Sequence, residues 1–210
     1  MKNSEFFLKN RKNISLSKLI FIIAFTAFSV AINFLCGKLV YVFSIPIYLD
    51  SVATISVVAV CGLFPGIACA ILSNFFLYYK KSIIFSICHI LTALGAYFVF
   101  KHPKSFQDDD ESDLKNLNCN SSLSFELFLW AGFFSAITNT IAGNLISTLL
   151  FKMEDYSSFQ FVAKSIYVSI PNIAFSNWIT GFVENTADKI LSALISFAFY
   201  KIFKKFYKNH

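Results

Sequence analysis

Glu184, Asn185, Asp188 and Lys189 form the densest group of polar side chains within an otherwise apolar stretch of this 210-residue chain. An ionisable residue inside a membrane span costs roughly 2.5–3.5 kcal/mol on insertion scales, which makes each a candidate for function. Glu184 and Asp188 are four residues apart and share a helix face. Lys189 diverges from Asp188 by about 100° and is expected to pair elsewhere. Mutual neutralisation that holds the last span in its bundle is the simpler reading, and a proton relay is the other. Asp50 is a second case. It follows Ile45-Pro-Ile-Tyr-Leu49 and opens an apolar run, with Thr54 expected on the same helix face. Asp50 or Ser51 is either a helix N-cap or part of a ligand site or polar network.

Amides supply the remaining candidates. Asn74, Asn139, Asn144, Asn172 and Asn177 all fall in or beside apolar runs, with Trp178 next to the last of them. An amide both donates and accepts, which suits a polar, neutral or zwitterionic small molecule. The alternative for each is an interhelical hydrogen bond, worth about 0.6 kcal/mol on average in membranes. On the topology below, all but Asn139 lie towards the outer face, with Asn139 nearer the midplane.

The elements that must carry these residues follow from composition. Apolar residues make up 56% of the chain and charged residues 14%, with a mean hydropathy of +0.62. Soluble domains carry roughly 25% charged residues, so an ordinary cytosolic fold is excluded. The expected fold is all-α, an integral membrane bundle of six transmembrane helices in a single domain over 1–210. The spans run over about 17–36, 47–63, 66–79, 82–100, 123–151 and 182–203, from 14 to 29 residues against the roughly 20 a bilayer needs, the fifth being long. Gly62-Leu-Phe-Pro-Gly66 makes spans two and three a tight hairpin. Residues 157–181, interrupted by Pro171 and Gly181, are either a partly inserted outer element or an extension of the sixth helix.

The net charge of +6 need not mean nucleic acid, because membrane proteins keep positive charge on the cytoplasmic side. The basic tails (residues 1–16 and 204–210) are accordingly both cytoplasmic, which requires an even number of spans. The polar loop 101–122 is then cytoplasmic as well. Its acidic run Asp108–Asp113 is a solvated loop, with a Mg²⁺-diphosphate site as the alternative. The five cysteines, Cys36, Cys61, Cys69, Cys88 and Cys119, lack a CxxC spacing and read as small apolar residues. No P-loop, HExxH or GxSxG occurs, so the chain has no ATPase of its own, and neither a metal, a cofactor nor an enzymatic role is expected. Ala24, Ala27 and Ala31 form a flat strip on the first span that allows close helix approach, either inside the bundle or to a separate protein.

Pro46 to Thr54, then Cys61-Gly-Leu-Phe-Pro-Gly66 and Leu72-Ser-Asn74, resemble the "P-x-x-L-D-S-x-x-T … G-x-x-x-G … N" run of the substrate-binding S components of energy-coupling factor (ECF) transporters. Val183-Glu-Asn-Thr-Ala-Asp-Lys189 is similar to a "D-K" element before the last helix of that group. The resemblance implies a six-helix protein of the bacterial cytoplasmic membrane that captures a vitamin or related micronutrient from outside. Its implied partners are a transmembrane T component, docked on Ala24, Ala27 and Ala31, and two cytoplasmic ATPases. The implied substrate site holds Asp50, Thr54, Asn74, Asn144, Asn172 and Asn177. Thiamine, riboflavin, pantothenate, biotin or a queuosine precursor would all suit amide-rich walls. A ligand-sensing membrane module and a small prenyl or lipid transferase are the competing functions.

Overall fold

The computed structural model describes residues 15–78, 83–106, 123–150 and 160–208. The acidic run Asp108–Asp113, the N-terminal basic residues, Lys80, Lys81 and Cys119 lie outside the described residues. Seven α-helices are present among the described residues: α1 (Leu16–Val42), α2 (Thr54–Cys61), α3 (Leu63–Tyr78), α4 (Ser86–Lys101), α5 (Phe125–Leu150), α6 (Gln160–Ser169) and α7 (Ile173–Lys208). No strand occurs among the described residues. Three helical stretches, Leu16–Val42, Ile83–Lys101 and Phe125–Leu149, are long and apolar enough to cross a membrane. The helix over Ile173–Lys208 is longer still, about 54 Å at 1.5 Å per residue, but carries Glu184, Asp188 and Lys189 in its middle.

Aromatic contacts fix the helix directions. Phe21 packs on Tyr207 and Phe25 on Phe203, with ring centroids 5.7 and 4.4 Å apart, so α1 and α7 run antiparallel. The start of α1 and the end of α7 therefore share one end of the bundle, called here the Leu16 end. Phe128 against Tyr200 at 5.3 Å places the start of α5 there too. The opposite, Val42 end holds the end of α1 and the start of α7.

Two expectations about the second span change. Only eight residues, Thr54–Cys61, are helical where a span over 47–63 is expected. Asp50 consequently sits in irregular chain rather than at a helix start, and it shares no helix face with Thr54. The N-cap of α2 is Ala53, which has no side-chain cap bond. The cause is Pro46 within a run of bends, with Ser44 and Leu49 both in the left-handed region at φ 52° and 46°. Such a backbone costs a non-glycine residue about 1–2 kcal/mol and cannot continue a helix. The α2–α3 turn is as the sequence reads: Gly62 at φ 92° terminates α2, and Pro65 falls within the first turn of α3, where its missing N–H costs nothing. Residue 181 does not interrupt the last helix. The break falls at Ile170–Asn172, between α6 and α7, where Pro171 stands.

A row of polar residues four apart, Ser176, Thr180, Glu184, Asp188, Ser192 and Ser196, is buried along α7, each no more than 5% exposed. It spans about 30 Å of helix. Rows of this spacing are inclined to the helix axis, so the row turns progressively across the neighbours of α7. The bundle exterior carries large apolar side chains, among them Ile20, Ile23, Leu35 and Leu39 on α1.

Close packing of α5 on α7 depends on Gly132, where a Cβ would meet the Lys189 carbonyl oxygen at 2.7 Å and the Ala193 Cβ at 2.8 Å. A Cβ at Gly143 meets nothing nearer than 3.9 Å. We expect Gly132→Val to lower stability by about 1–3 kcal/mol through overpacking and Gly143→Ala to leave it unchanged or higher, read by thermal unfolding in detergent.

Candidate functional site

The segment Leu49–Ala53 enters the bundle as irregular chain, with Asp50, Ser51, Val52 and Ala53 all 5% exposed or less. Backbone that is neither helical nor solvated needs side-chain partners at such depth. The Leu49 N–H donates to Asp188 Oδ1 at 2.6 Å, and the Ala53 N–H to Asn33 Oδ1 at 2.8 Å. The Val52 carbonyl accepts from the Ser196 hydroxyl. Ser51 Oγ receives Lys189 Nζ at 2.7 Å.

Asn33, on α1, was not among the residues that sequence reasoning selected. Its amide nitrogen donates to Thr54 Oγ1 at 3.0 Å and to Ser73 Oγ at 2.9 Å, so its oxygen and both hydrogens are used. A single amide deep in an apolar run is the only signal the sequence offers for it. Thr54, expected to face ligand, is fully buried against Asn33.

Charged and amide groups on α4, α5 and α7 extend these partners into a larger polar cluster, called here the ring. Asp50 Oδ2 lies 3.2 Å from His89 Nε2 on α4, and Asp50 Oδ1 lies 3.8 Å from Lys189 Nζ on α7. Lys189 Nζ is also 2.6 Å from Asp188 Oδ2. Lys189 thus pairs elsewhere, with Ser51 and Asp50, as the sequence suggests, and in addition its long stem bends back to Asp188 across the 100° between neighbouring side chains. On α4, Cys88 precedes His89 and stands opposite Gly143 of α5. Asn144 follows, and its amide lies directly on Gly181 of α7, where an added Cβ would come within 2.6 Å of Asn144 Oδ1. Gly181, Glu184 and Asp188 then succeed one another at single turns of α7 and lead on to Lys189.

The ring gathers three carboxyl groups, Asp50, Glu184 and Asp188, against one lysine and one histidine. Lys189 sits between Asp188 and Asp50, and His89 touches Asp50. Glu184 is 5% exposed and forms no ion pair among the described residues. Asn139 extends the cluster along α5, donating to Thr92 Oγ1 at 2.9 Å. Neither His89 nor Asn139 was chosen as a binding residue from the sequence.

The remaining candidates fall outside this ring. Asn74 Nδ2 donates to Ser86 Oγ at 2.7 Å, tying α3 to the start of α4. Asn172 is exposed, and its Oδ1 accepts from the Phe175 N–H at 3.1 Å, capping α7. Asn177 is half-buried one turn into α7. Asn185 donates back to the Gly181 carbonyl within its own helix. Ala24, Ala27 and Ala31 are all exposed, on the side of α1 turned away from the bundle. A groove of about 430 Å³ lined by Leu91, Leu94, Phe98 and Phe134, with Lys101 at its edge, is separate from the polar ring.

No group of three or more His, Cys, Asp or Glu residues suited to a metal ion occurs among the described residues. No protein-family model, curated protein or solved structure matches the chain.

Removing the lysine leaves two buried carboxylates without their cation. We expect Lys189→Met to cost about 3–5 kcal/mol and Asp188→Asn in the same chain to recover part of it, measured as a double-mutant cycle of thermal unfolding. Asn33→Leu should cost about 1–3 kcal/mol by orphaning the Ala53 N–H, and Asn33→Asp should be no milder, because it buries a carboxyl with no cation beside it and loses both donated bonds.

Proposed function

We propose that the chain is the membrane-embedded capture subunit of an ECF-type importer in a bacterial cytoplasmic membrane. It takes up a vitamin-like molecule at the outer face and delivers it with a T component and two ATPases. The observation that carries this reading is the ring of buried polar groups assembled from Asp50, α4, α5 and α7 inside an otherwise apolar helical protein. Burying that many polar groups costs stability wherever they lack partners, so their persistence calls for a ligand. The resemblance of Pro46–Asn74 and Val183–Lys189 to ECF S components supplies the transport context.

The topology that fits has six crossings with both ends cytoplasmic, so the Val42 end faces outwards. α2 and α3 are then the second and third crossings, with the depth of the second completed by the irregular chain before it. The ring begins about 12 Å along α7 from its start at Ile173, within reach of the outer face. The outward-turned strip of Ala24, Ala27 and Ala31 offers a T component the flat surface that close helix approach requires. Delivery requires the T component to prefer one orientation or ligand state of this subunit, since a partner with no preference shifts nothing.

Native mass spectrometry of the detergent-purified protein, expressed with its host's T component and ATPases, tests this directly. A vitamin-sized mass released on denaturation from a T–ATPase assembly is the expected result; a bare monomer that keeps only lipid would sink the proposal. Ala27→Glu should abolish uptake of that molecule and leave its binding intact. Asp50→Ala and Asn144→Ala should each weaken binding roughly tenfold, the loss of one buried hydrogen bond to a charged or polar group, with assembly unchanged; normal affinity in both would remove this ring as the site.

A further inference from the structure

Five members of the ring carry a buried polar atom with no hydrogen-bond partner among the described residues: Asp50 Oδ1, His89 Nδ1, Asn144 Nδ2, Glu184 Oε1 and Asp188 Oδ2. The two aspartate oxygens face Lys189 Nζ, at 3.8 and 2.6 Å, which leaves the His89, Asn144 and Glu184 atoms. These three come from three different helices, α4, α5 and α7, and all are 9% exposed or less. Buried polar atoms in native proteins are nearly always paired, and an orphan asks for a missing partner. Asn144 packs directly on Gly181 of α7, three residues before Glu184, so the orphans of Asn144 and Glu184 ask for one partner between them.

Their chemistry differs. Glu184 Oε1 is a carboxylate oxygen and accepts. His89 Nε2 lies 3.2 Å from Asp50 Oδ2, and its Nδ1 accepts from a neutral ring and donates from a protonated one. Asn144 Nδ2 is a donor. The formal charge is uneven. Lys189 is taken up by Asp188 at 2.6 Å and reaches Asp50 at 3.8 Å, and His89 is held by Asp50. Glu184 has neither, although it lies one turn from Asp188 on the same buried row. A buried carboxylate without a countercharge is costly. Its neighbours do not relieve it, since Asn185 bonds within its own helix and Thr180 donates to the Ser176 carbonyl.

We infer that the molecule bound in this ring is an organic cation bearing N–H donors, with its positive group on Glu184 and a hydrogen-bond acceptor turned towards Asn144. This inference rests on the capture function proposed above and deepens it by assigning the ligand's charge class. Glu184 becomes the residue that determines specificity, rather than a structural member of a neutralised cluster. An anionic ligand would meet the Glu184 carboxylate, which has no countercharge of its own, and would be repelled by it.

The test uses the full chain purified in detergent and titrated with thiamine as a cation, riboflavin as a neutral molecule, and pantothenate and biotin as anions. Small molecules released from the protein by denaturation are identified by mass in parallel. The expected result is binding or copurification of a cationic molecule only, weakened about tenfold or more in Glu184→Gln and substantially restored in Glu184→Asp, which keeps the charge. If Glu184→Gln does not fold, the charge selectivity of the unaltered chain still decides. A neutral or anionic molecule bound by the unaltered chain overturns the cation assignment and leaves small-molecule capture standing. Binding of a cation that is unchanged in a folded Glu184→Gln removes Glu184 from the site. No binding by any of the four and no released molecule overturns both the assignment and the capture reading.

Discussion

Five residues, Leu49–Ala53, entering the interior without a helix are the constraint around which this molecule is built. Within an apolar bundle, each unpaired N–H or C=O costs several kcal/mol, and the chain from Leu49 to Ala53 has no ladder of its own. Asn33, Asp188 and Ser196 stand in for one, supplying an acceptor, an acceptor and a donor from two helices. Those substitutions dictate much else. Asp188 has to be buried to reach Leu49, a buried aspartate needs a cation, and Lys189 is that cation. Lys189 then brings Asp50 and Ser51 into range, and Asp50 brings His89. A polar centre on this scale grows outwards from the need to satisfy an irregular strip of backbone.

The same logic divides the polar residues into two populations. Many buried hydroxyls serve their own helix: Thr92, Thr138, Thr140 and Thr180 each donate to a carbonyl three or four residues back. Such bonds are inexpensive and local. The long-range bonds concentrate on Asn33, Asp188, Lys189 and Asn139, which cross between elements. The Leu16 end is held instead by aromatic stacking, with Phe25, Phe128, Phe203 and Tyr200 in contact. Rigid apolar packing at one end and a polar, partly unsatisfied interior towards the other is a division suited to holding a fixed base beneath a site.

The all-helical character and the hairpin at Gly62 are legible in the chain, because hydropathy and turn chemistry act locally. The importance of Asp50, Asp188 and Lys189 is legible for a similar reason, since ionisable residues in apolar runs stand out without any knowledge of their neighbours. What escapes is everything set by the path of the backbone. Ile47–Ala53 is apolar enough to read as the start of a span, yet two left-handed residues and Pro46 keep it irregular, and no periodicity reports that. Asn33 escapes because its role is to serve that irregular segment. Asn172 reads as a binding amide and is a helix cap, a distinction that rests on where the break beside Pro171 falls. The Lys189–Asp188 pair escapes because helical-wheel geometry places Cβ atoms, whereas a lysine ammonium lies four carbons further on.

The row of buried polar residues on α7 also constrains how this chain can change its length. A loop tolerates an inserted or deleted residue because the displaced chain can be absorbed nearby. Within α7 the loss of one residue between Thr180 and Glu184 turns everything beyond it by about 100° and draws it in by 1.5 Å. Asp188 would move to the exposed position of Ala187 and Lys189 to that of Asp188, and Leu49, Ser51 and Val52 would lose their partners together. Single-residue gaps should therefore be selected against throughout this helix in any descendant of the sequence, while point substitutions at its outward positions drift freely. Length variation is left to the connections, and among these to the segment between α4 and α5.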